Sequence, residues 1–353
     1  MNELERQLHY PLGEQLPAPG GTLTVAEGVR WIRMALPFAL DHINLWLLRD
    51  RDPESGRDGW AVVDCGITND ATRAAWEQLF ANELQGLPVL RVIVTHMHPD
   101  HIGLAHWLTE RWGVRLWISA TDYNAARLAS QSTTGFGGES AAAFMASHGL
   151  TDPDAVDKVR KRSNYYASMV PQVPARFRRL MGGDTLRIGE HDWTCHAGYG
   201  HAPEHISLHC AALGVLISGD MVLPRISTNV SVIDLEPEAN PLPLYLASIG
   251  RMLALPAETM VLPSHGKPFR GLHTRVGQLV AHHDERFADL MAACAQAPQT
   301  AASLLPVLFR RPLDLHQTTF AMGESIAHLH ALWLRGELRR ELGADGVLRF
   351  SPA

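Results

Sequence analysis

The chain has 353 residues, a length that indicates two domains. Hydrophobic residues make up 46% and charged residues 19%, as in a globular protein with a sizeable core, and no apolar stretch is long enough to span a membrane. The net charge of −6 gives no chain-wide basic surface of the kind that marks a nucleic-acid binder.

The first part of the chain predicts strands and helices in alternation. Val29–Ala35, His42–Leu48 and Trp60–Val63 are apolar and aromatic, which is typical of strands. An amphipathic helix over Ala71–Leu84 follows, and then a β-branched strand, VLRVIVT, that runs into HMHPDH. A helix in GLAHWLTERWG and a strand in RLWISA continue the pattern of an α/β fold.

Helices interrupt this alternation from about residue 121 to residue 182. We expect two or three, including Ala141–His148 and Asp154–Met169. TLRIG, WTCHAG, HISLHC, LGVLISGD and Met260–Leu262 then predict strands, and LHTRVGQLVAHHDERFADLMAACAQ predicts one long helix. Two helices and a terminal hairpin follow. We therefore predict a catalytic domain over residues 1–271, with a helical insert at about 121–182, and a helical domain over 272–353.

The cysteines and the N-terminus bear on the compartment. Cys65, Cys195, Cys210 and Cys294 lack CxxC spacing and fit buried thiols in a reducing compartment. The first residues lack the basic and apolar regions of a secretory signal. We therefore expect a cytoplasmic protein.

Histidines are abundant, at nineteen, and the densest cluster lies in HMHPDH, directly after a predicted buried strand. In an extended loop His96 and His98 project to the same side, because side chains alternate. Asp100 and His101 follow a proline turn and can face a second locus. Three further candidates lie in loops next to strands: His201, Asp220 and His265. Imidazole and carboxylate without thiolate suit zinc, with iron or manganese as alternatives.

These motifs resemble the metallo-β-lactamase superfamily in order and spacing: HMHPDH, the Gly-His pair at 200–201, the Ser-Gly-Asp at 218–220 and the PSHG at 263–266. The resemblance covers roughly residues 22–270 and implies an αββα sandwich that holds two divalent ions. It implies that His96, His98 and His201 bind the first ion, that Asp100, His101 and His265 bind the second, and that Asp220 bridges them. The C-terminal segment, with GESIAHLHALWLRGEL, resembles the small winged-helix-like domain of one subgroup.

The resemblance also implies a hydrolase in which a water shared by two ions attacks the substrate. A bridging Asp220 is a feature of the dinuclear hydrolases rather than of true β-lactamases. Asp100 and Asp220 are the candidate catalytic residues, and Asp100 is the candidate proton relay to the leaving group. Asp64, in VVDCG, matches the family's acid behind the metal loop, and we expect it to bond the loop backbone or a ligand histidine.

A basic segment, KVRKRSNYYASMVPQVPARFRR at residues 158–179, carries seven Lys or Arg and no acid. It is either a cap that binds an anionic substrate, such as a coenzyme A thioester or a nucleic acid, or an ordinary solvated helix face with a loop. The candidate substrate contacts are Tyr165, Tyr166, Tyr199, Arg225 and Asn229.

Three activities remain open at this point. The first is hydrolysis of a thioester, ester or lactone of a small molecule. The second is phosphodiester cleavage, as in the endoribonucleases that bear the same C-terminal domain, but residues 281–353 hold seven bases and eight acids, which argues against a nucleic-acid face. The third is iron-dependent persulfide oxidation by a sulfur dioxygenase. Apolar residues near the C-terminus favour packing or a homodimer: Leu329, Leu332, Trp333 and Leu334.

Overall fold

The computed structural model describes residues 3–131, 136–309 and 311–353. These residues form two compact units, and each unit is built from three segments of the chain. The first unit comprises Met1–Ser130, Tyr166–Thr228 and Ile249–Val276. The second unit comprises Gln131–Tyr165, Asn229–Ser248 and Gly277–Ala353.

Seven strands form the first sheet of the first unit, and they neighbour one another in chain order. They are β1 (Leu23–Ala26), β2 (Val29–Ala35), β3 (His42–Arg51), β4 (Asp58–Val63), β5 (Val89–Ile93), β6 (Leu116–Ser119) and β7 (Phe177–Leu180). The pairs from β1 to β4 are antiparallel, whereas the pairs from β4 to β7 are parallel. The carboxyl ends of β4 and β5, which precede Asp64 and His96, therefore meet at one edge of the sheet.

Five strands form the second sheet, which also belongs to the first unit. They are β8 (Thr185–Ile188), β9 (His191–Gly198), β10 (His205–Cys210), β11 (Val215–Gly219) and β12 (Met260–Pro263). Their order across the sheet is β12-β11-β10-β9-β8, with β11 and β12 parallel and the other pairs antiparallel. Because β11 and β12 are parallel, Asp220 and His265 follow them at the same edge.

The main hydrophobic core lies between these two sheets. Alternate residues of β3 and β10, among them Trp46, Leu48, Ile206 and Leu208, are fully buried in it. This alternation follows from the period of two along a strand, which turns every second side chain inward. Each such buried side chain contributes about 1.5–3 kcal/mol, so the sandwich supports the loops at its edge.

Eleven α-helices lie in the described ranges. They are α1 (Asp70–Asn82), α2 (Pro99–Ile102), α3 (Ala105–Trp112), α4 (Ala120–Ala129), α5 (Gly138–Ser147), α6 (Pro153–Arg160), α7 (Tyr165–Met169), α8 (Pro241–Arg251), α9 (Leu272–Gln296), α10 (Leu305–Leu308) and α11 (Leu315–Leu334). The helices α1, α3 and α4 contact strands of the first sheet. Asn69 and Ser119 begin α1 and α4, because each side chain accepts a hydrogen bond from a backbone N–H of the first turn.

The second unit is mostly helical. Ala141 and Ala142 of α5 pack with Val159 of α6 in a small apolar cluster. A capping box between Asp314 and Gln317 begins α11. An antiparallel hairpin of β13 (Leu338–Leu342) and β14 (Leu348–Pro352) follows α11. The unit therefore ends in the helix and hairpin that the sequence predicts.

The predicted elements agree with the structure in most places, and the strands β2 and β10 and the helix α9 have the predicted bounds. The single helix predicted over Asp154–Met169 is wrong, because a turn at 161–164 separates α6 from α7. The strands β1 and β7 and the helix α8 were not predicted. Residues 131–165 of the predicted insert belong to the second unit, and its remainder belongs to the first. The domain boundary at residue 271 stays a prediction.

Two expectations from composition can be compared with the structure. Cys65, Cys195, Cys210 and Cys294 are unpaired and buried. Among the helices that the structure describes, none has both the length and the apolar character needed to cross a membrane.

Candidate metal centre

Loops next to four strands of the first unit bring the seven predicted ligands together. The loop after β5 and the first turn of α2 carry four of them, and the others lie between β9 and β10, after β11 and after β12. Their donor atoms form three groups, each within 4.8 Å: His96, His98 and His201; His96, His101 and Asp220; Asp100, His101 and His265. Two of these groups correspond to the two predicted sets, and the third combines His96 and His101, one from each set, with Asp220. The ligand roles and the division into two metal sites stay predictions.

The first donor set is His96, His98 and His201. The Nε2 atom of His96 lies 3.0 Å from Nδ1 of His98 and 3.2 Å from Nε2 of His201, and these last two atoms are 3.1 Å apart. Each ring nitrogen carries one proton or one lone pair, so at most one of the three contacts can be a hydrogen bond. Nitrogens bound to one tetrahedral zinc lie about 3.3 Å apart, given bonds of about 2.0–2.1 Å. The triangle therefore fits a single cation.

The second donor set is Asp100, His101 and His265. Oδ2 of Asp100 lies 3.5 Å from Nε2 of His265 and 3.7 Å from Nε2 of His101. Asp220 lies between the two sets, with Oδ2 3.3 Å from Nε2 of His201 and Oδ1 3.5 Å from Nε2 of both His101 and His265. Each oxygen of Asp220 thus faces a different set, as a bridging carboxylate requires.

Two buried atoms at this centre have no hydrogen-bond partner in the described part of the chain: Nε2 of His101 and Oδ1 of Asp220. Such an atom costs about 1–3 kcal/mol when nothing compensates it. A divalent cation between them would satisfy both. The donors are imidazoles and carboxylates without a thiolate, and this set fits zinc, iron or manganese.

The hydrogen bonds behind the histidines set their tautomers. Thr95 donates its hydroxyl proton to Oδ2 of Asp64 at 2.9 Å, so its oxygen is free to accept from Nδ1 of His96 at 3.0 Å. Nδ1 of His101 donates to the same Asp64 oxygen at 2.8 Å, and Nδ1 of His265 donates to the backbone oxygen of His42 at 2.8 Å. Nε2 of His96, His101 and His265 is therefore left as a lone pair toward the donor sets.

The pKa values of four histidines shift in opposite directions in the two sets. Burial, and then the neighbouring histidines, lower the pKa of His96 and of His98 well below the usual value. Burial also opposes a charge on His101 and on His265, but the carboxylates around them outweigh it and raise the pKa of both. Burial disfavours the charged form of Asp220, yet His265 and His101 outweigh it and hold its pKa well below the usual range. The second set is therefore the more strongly anionic environment for a cation.

Three further residues that the sequence reasoning missed hold these loops. His42 accepts a hydrogen bond at Nε2 from the backbone N–H of Gly266, at 2.7 Å, beside His265. The buried amide of Asn44 donates to the backbone oxygens of Pro263 and Gly266 at 2.8 and 2.9 Å. The third residue is Asp122, which is fully buried and bonds two of the loops.

The predicted contacts with substrate lie in different surroundings. Tyr166 is buried and donates its hydroxyl proton to the backbone oxygen of Met97 at 2.6 Å. Tyr165 lies in the second unit, where its hydroxyl is 3.0 Å from Nδ1 of His316. Tyr199 is 36% exposed beyond the end of β9. The side chain of Arg225 is 71% exposed, and its nearest acid is Glu5 at 4.0 Å.

Asn229 belongs to the second unit, where its side-chain oxygen accepts a hydrogen bond from the hydroxyl of Ser231 at 2.8 Å. His205, which the sequence left between pocket and core, is fully buried, and its Nε2 accepts from the backbone N–H of Asp220 at 3.2 Å. Burial lowers the pKa of His205 to about 3, so its ring is neutral. His205 therefore holds the backbone of Asp220 and does not face solvent.

Several charges of the basic segment at 158–179 are compensated. In the second unit Arg160 pairs with Glu139 at 2.6 Å, and Lys161 pairs with Asp157 at 2.6 Å. In the first unit Arg178 lies on strand β7 with its guanidinium 4.1 Å from the ring centre of Trp117. The segment is therefore divided between two units and part of its charge is paired.

Comparisons with known proteins identify the family of the chain. The family described as "Metallo-beta-lactamase superfamily" matches residues 40–265, and "Metallo-beta-lactamase-like, C-terminal domain" matches residues 287–353. The chain is 26% identical over 317 residues to the "probable metallo-hydrolase YqjP" of Bacillus subtilis, covering 87% of this chain and 92% of the relative.

Two solved structures are similar over nearly the whole chain. A β-lactamase domain protein from Burkholderia ambifaria is 57% identical, with full coverage of both chains and a TM-score of 0.94. A metallo-β-lactamase family protein from Thermus thermophilus, TTHA1429, is 26% identical, with 94% of this chain and all of that chain covered and a TM-score of 0.73. The predicted fold and the presence of a C-terminal domain are confirmed, whereas the winged-helix form of that domain stays a prediction. The chain belongs to the metallo-β-lactamase superfamily, and its predicted class, a metal-dependent hydrolase, is confirmed.

Proposed function

We propose that this chain hydrolyses an ester, a thioester or a lactone of a small molecule, using two divalent ions, with zinc as the expected metal. The observation that carries the two-ion part is the position of Asp220. One of its oxygens faces His201 at 3.3 Å and the other faces His101 and His265 at 3.5 Å. A carboxylate whose two oxygens face different donor sets is suited to hold two ions rather than one.

Two ions at these sets would supply a water of lowered pKa and polarise the oxygen of a substrate carbonyl. The side chains of the protein would fix the geometry of the site and transfer a proton. His96, His101 and His265 are kept in one tautomer by acceptors behind them, so their geometry is fixed before substrate arrives. The side chain of Asp100 is 19% exposed and that of Asp220 is 10% exposed, so Asp100 is the better placed of the two to transfer a proton to the leaving group.

Charge supports a small molecule over a nucleic acid. Arg160 and Lys161 of the basic segment are already paired with acids, and the bases and acids of residues 281–353 nearly balance. A protein that binds nucleic acid presents unpaired bases along its face, because affinity comes from phosphate contacts. The same pairing weakens the case for a coenzyme A phosphate clamp, so the assay must separate the acyl group from the carrier.

The test is a turnover assay on zinc-loaded and manganese-loaded protein. The panel holds acyl-CoA thioesters, the same acyl groups on a phosphate-free thiol, aryl esters, lactones and a labelled single-stranded RNA. We expect metal-dependent acyl release and no RNA cleavage. RNA cleavage that chelator abolishes, with no acyl release, would overturn the proposal. Oxygen uptake with a persulfide by protein holding one iron per chain would overturn it in favour of sulfur oxidation.

A further inference from the structure

The backbone of Met97 lies between two residues of the first donor set, His96 and His98, and both of its polar groups are held. Its N–H donates to Oδ1 of Asp122 at 2.8 Å, and its carbonyl oxygen accepts from the hydroxyl of Tyr166 at 2.6 Å. The N–H belongs to the peptide unit that joins His96 to Met97, and the carbonyl belongs to the unit that joins Met97 to His98, so a rotation of either unit would turn the neighbouring histidine. The two hydrogen bonds therefore fix the direction of His96 and His98.

The other oxygen of Asp122 holds the loop that carries the third member of the set. Oδ2 accepts from the backbone N–H of Glu204 at 2.6 Å, three residues after His201. The neighbouring Thr121 adds a second tie, because its hydroxyl donates to the carboxylate of Glu204 at 2.9 Å. One fully buried carboxylate thus joins the HMHPDH loop to the His201 loop, and each of its oxygens serves a different loop.

We infer that Asp122 is a positioning residue for the first metal site, holding the loops of His96, His98 and His201 in register. The inference rests on the proposed function, since it assigns a role at that site. Asp122 contacts none of the seven candidate ligands through its hydrogen bonds, so its effect passes through the backbone. The second donor set is held by other groups, Asp64 and the backbone of His42.

The inference predicts that a change at Asp122 affects the first metal site and not the second. Asp122→Asn is the variant that tests this. An amide offers one acceptor where the carboxylate offers two, so either Met97 or Glu204 loses its partner. The variant is made in two backgrounds. His265→Ala leaves the first donor set as the intact one, and His98→Ala leaves the second. Zn²⁺ affinity is measured for each protein by competition with a chromogenic chelator.

In the His265→Ala background we expect Asp122→Asn to weaken Zn²⁺ binding by about 10- to 100-fold, the usual effect of losing a residue that orients a ligand. In the His98→Ala background the affinity should stay within about twofold, as for independent sites. Equal losses in both backgrounds would show a general loosening of the fold and would overturn the inference, as would no loss in either.

Tyr166→Phe is the companion variant if Asp122→Asn does not fold. It removes the hydroxyl that bonds Met97 and keeps the ring, and it should weaken the first site in the same selective way. If it weakens both sites equally or neither, the inference fails. A wild-type protein that binds two Zn²⁺ ions while both variants bind them unchanged would overturn the inference and leave the proposed function standing. A wild-type protein that binds no Zn²⁺, Mn²⁺ or Fe²⁺ would overturn both.

Discussion

Oδ2 of Asp64 lies 2.8 Å from Nδ1 of His101, and both side chains are buried. Asp64 also accepts from the backbone N–H of Thr95, and its own backbone has a positive φ of 63°. An aspartate tolerates that left-handed conformation better than most residues. Asp64, directly after β4, is thus held in this conformation with its carboxylate placed to orient a candidate metal ligand.

Asp64→Asn should therefore weaken the second metal site. The amide nitrogen can replace the oxygen that faces His101, and it would then donate toward Nδ1 and force the proton onto Nε2, the atom that faces the second set. We expect metal affinity and turnover to fall by about 10- to 100-fold. Chelator competition measures the affinity, and nitrogen-15 spectra of the imidazoles report the tautomer.

The matched control is Asp184→Asn, since Asp184 also accepts a backbone N–H, that of Met181 at 2.9 Å, but at a turn before β8. It should leave metal affinity unchanged. If Asp64→Asn keeps wild-type affinity and an unprotonated Nε2, the proposed role of Asp64 is wrong.

Gly219 ends β11 with a φ of 54°, directly before Asp220. A Cβ atom at this position would overlap Nε2 of His205, which is buried and accepts from the backbone N–H of Asp220. Gly219→Ala should lower the free energy of unfolding by about 2–4 kcal/mol, from backbone strain together with overpacking. It should also lower the metal content, because Asp220 must shift with its neighbour. Urea unfolding and metal analysis measure the two effects.

Gly214, immediately before β11, is the control for this substitution. Its φ of 62° is similar, but a Cβ atom would meet nothing within 4 Å. Gly214→Ala should therefore lower the free energy of unfolding by about 1 kcal/mol, from backbone strain alone, and should keep a normal metal content. Equal destabilisation by the two substitutions would contradict the role assigned to His205.

Asn44 joins β3 of the first sheet to the loop that carries His265. Its oxygen accepts from Nε1 of Trp31 at 2.8 Å, and its amide donates to two backbone oxygens of the loop. Asn44→Ala would remove these three hydrogen bonds and leave the indole N–H of Trp31 without this partner, and it should cost about 2–4 kcal/mol of unfolding free energy. The exposed Asn82, at the end of α1, is the control, and Asn82→Ala should stay within about 0.5 kcal/mol of wild type. Similar midpoints for both variants in urea would contradict this assignment.

The candidate ligands could be predicted from sequence because a metal centre needs particular donor atoms, and these cluster in short motifs at strand ends. His96, His98, Asp100 and His101 lie within six residues of one another. The residues that hold the loops carry no such mark. Asp122 bonds Met97, 25 positions away, and Glu204, 82 positions away, and Asn44 bonds Pro263, 219 positions away. Such partners become visible only when the chain is folded.

The strand β7 was missed for a related reason. Its sequence, FRRL, has two arginines and lacks an apolar alternation. The strand forms because it lies at the edge of the sheet, where its arginine side chains can remain exposed while its backbone pairs with β6. The helix predicted over Asp154–Met169 failed where local turn residues, Ser163 and Asn164, outweigh an amphipathic pattern.

A buried histidine pair should make the second unit sensitive to acid. Nδ1 of His283 lies 3.0 Å from Nε2 of His328, whose Nδ1 donates to the backbone oxygen of Glu324 at 2.8 Å. Burial lowers the pKa of His283 to about 3 and that of His328 to about 4. Below pH 6.5 these two histidines are protonated in the unfolded chain but stay neutral in the folded chain. The free energy of unfolding therefore decreases as the pH is lowered from about 6.5 to about 4.

The unfolded chain takes up more protons than the folded chain in this pH range, and His328→Gln should reduce that excess by one proton. For each such histidine we expect the unfolding free energy to fall by about 1.4 kcal/mol from pH 7.5 to pH 5.5. In His328→Gln this fall should be smaller than in the wild type by that amount. Urea unfolding at the two pH values measures it. The control is His9→Gln, because His9 is exposed to water and should leave the wild-type pH dependence in place. An unchanged pH dependence in His328→Gln would mean that this pair does not set the acid sensitivity of the second unit.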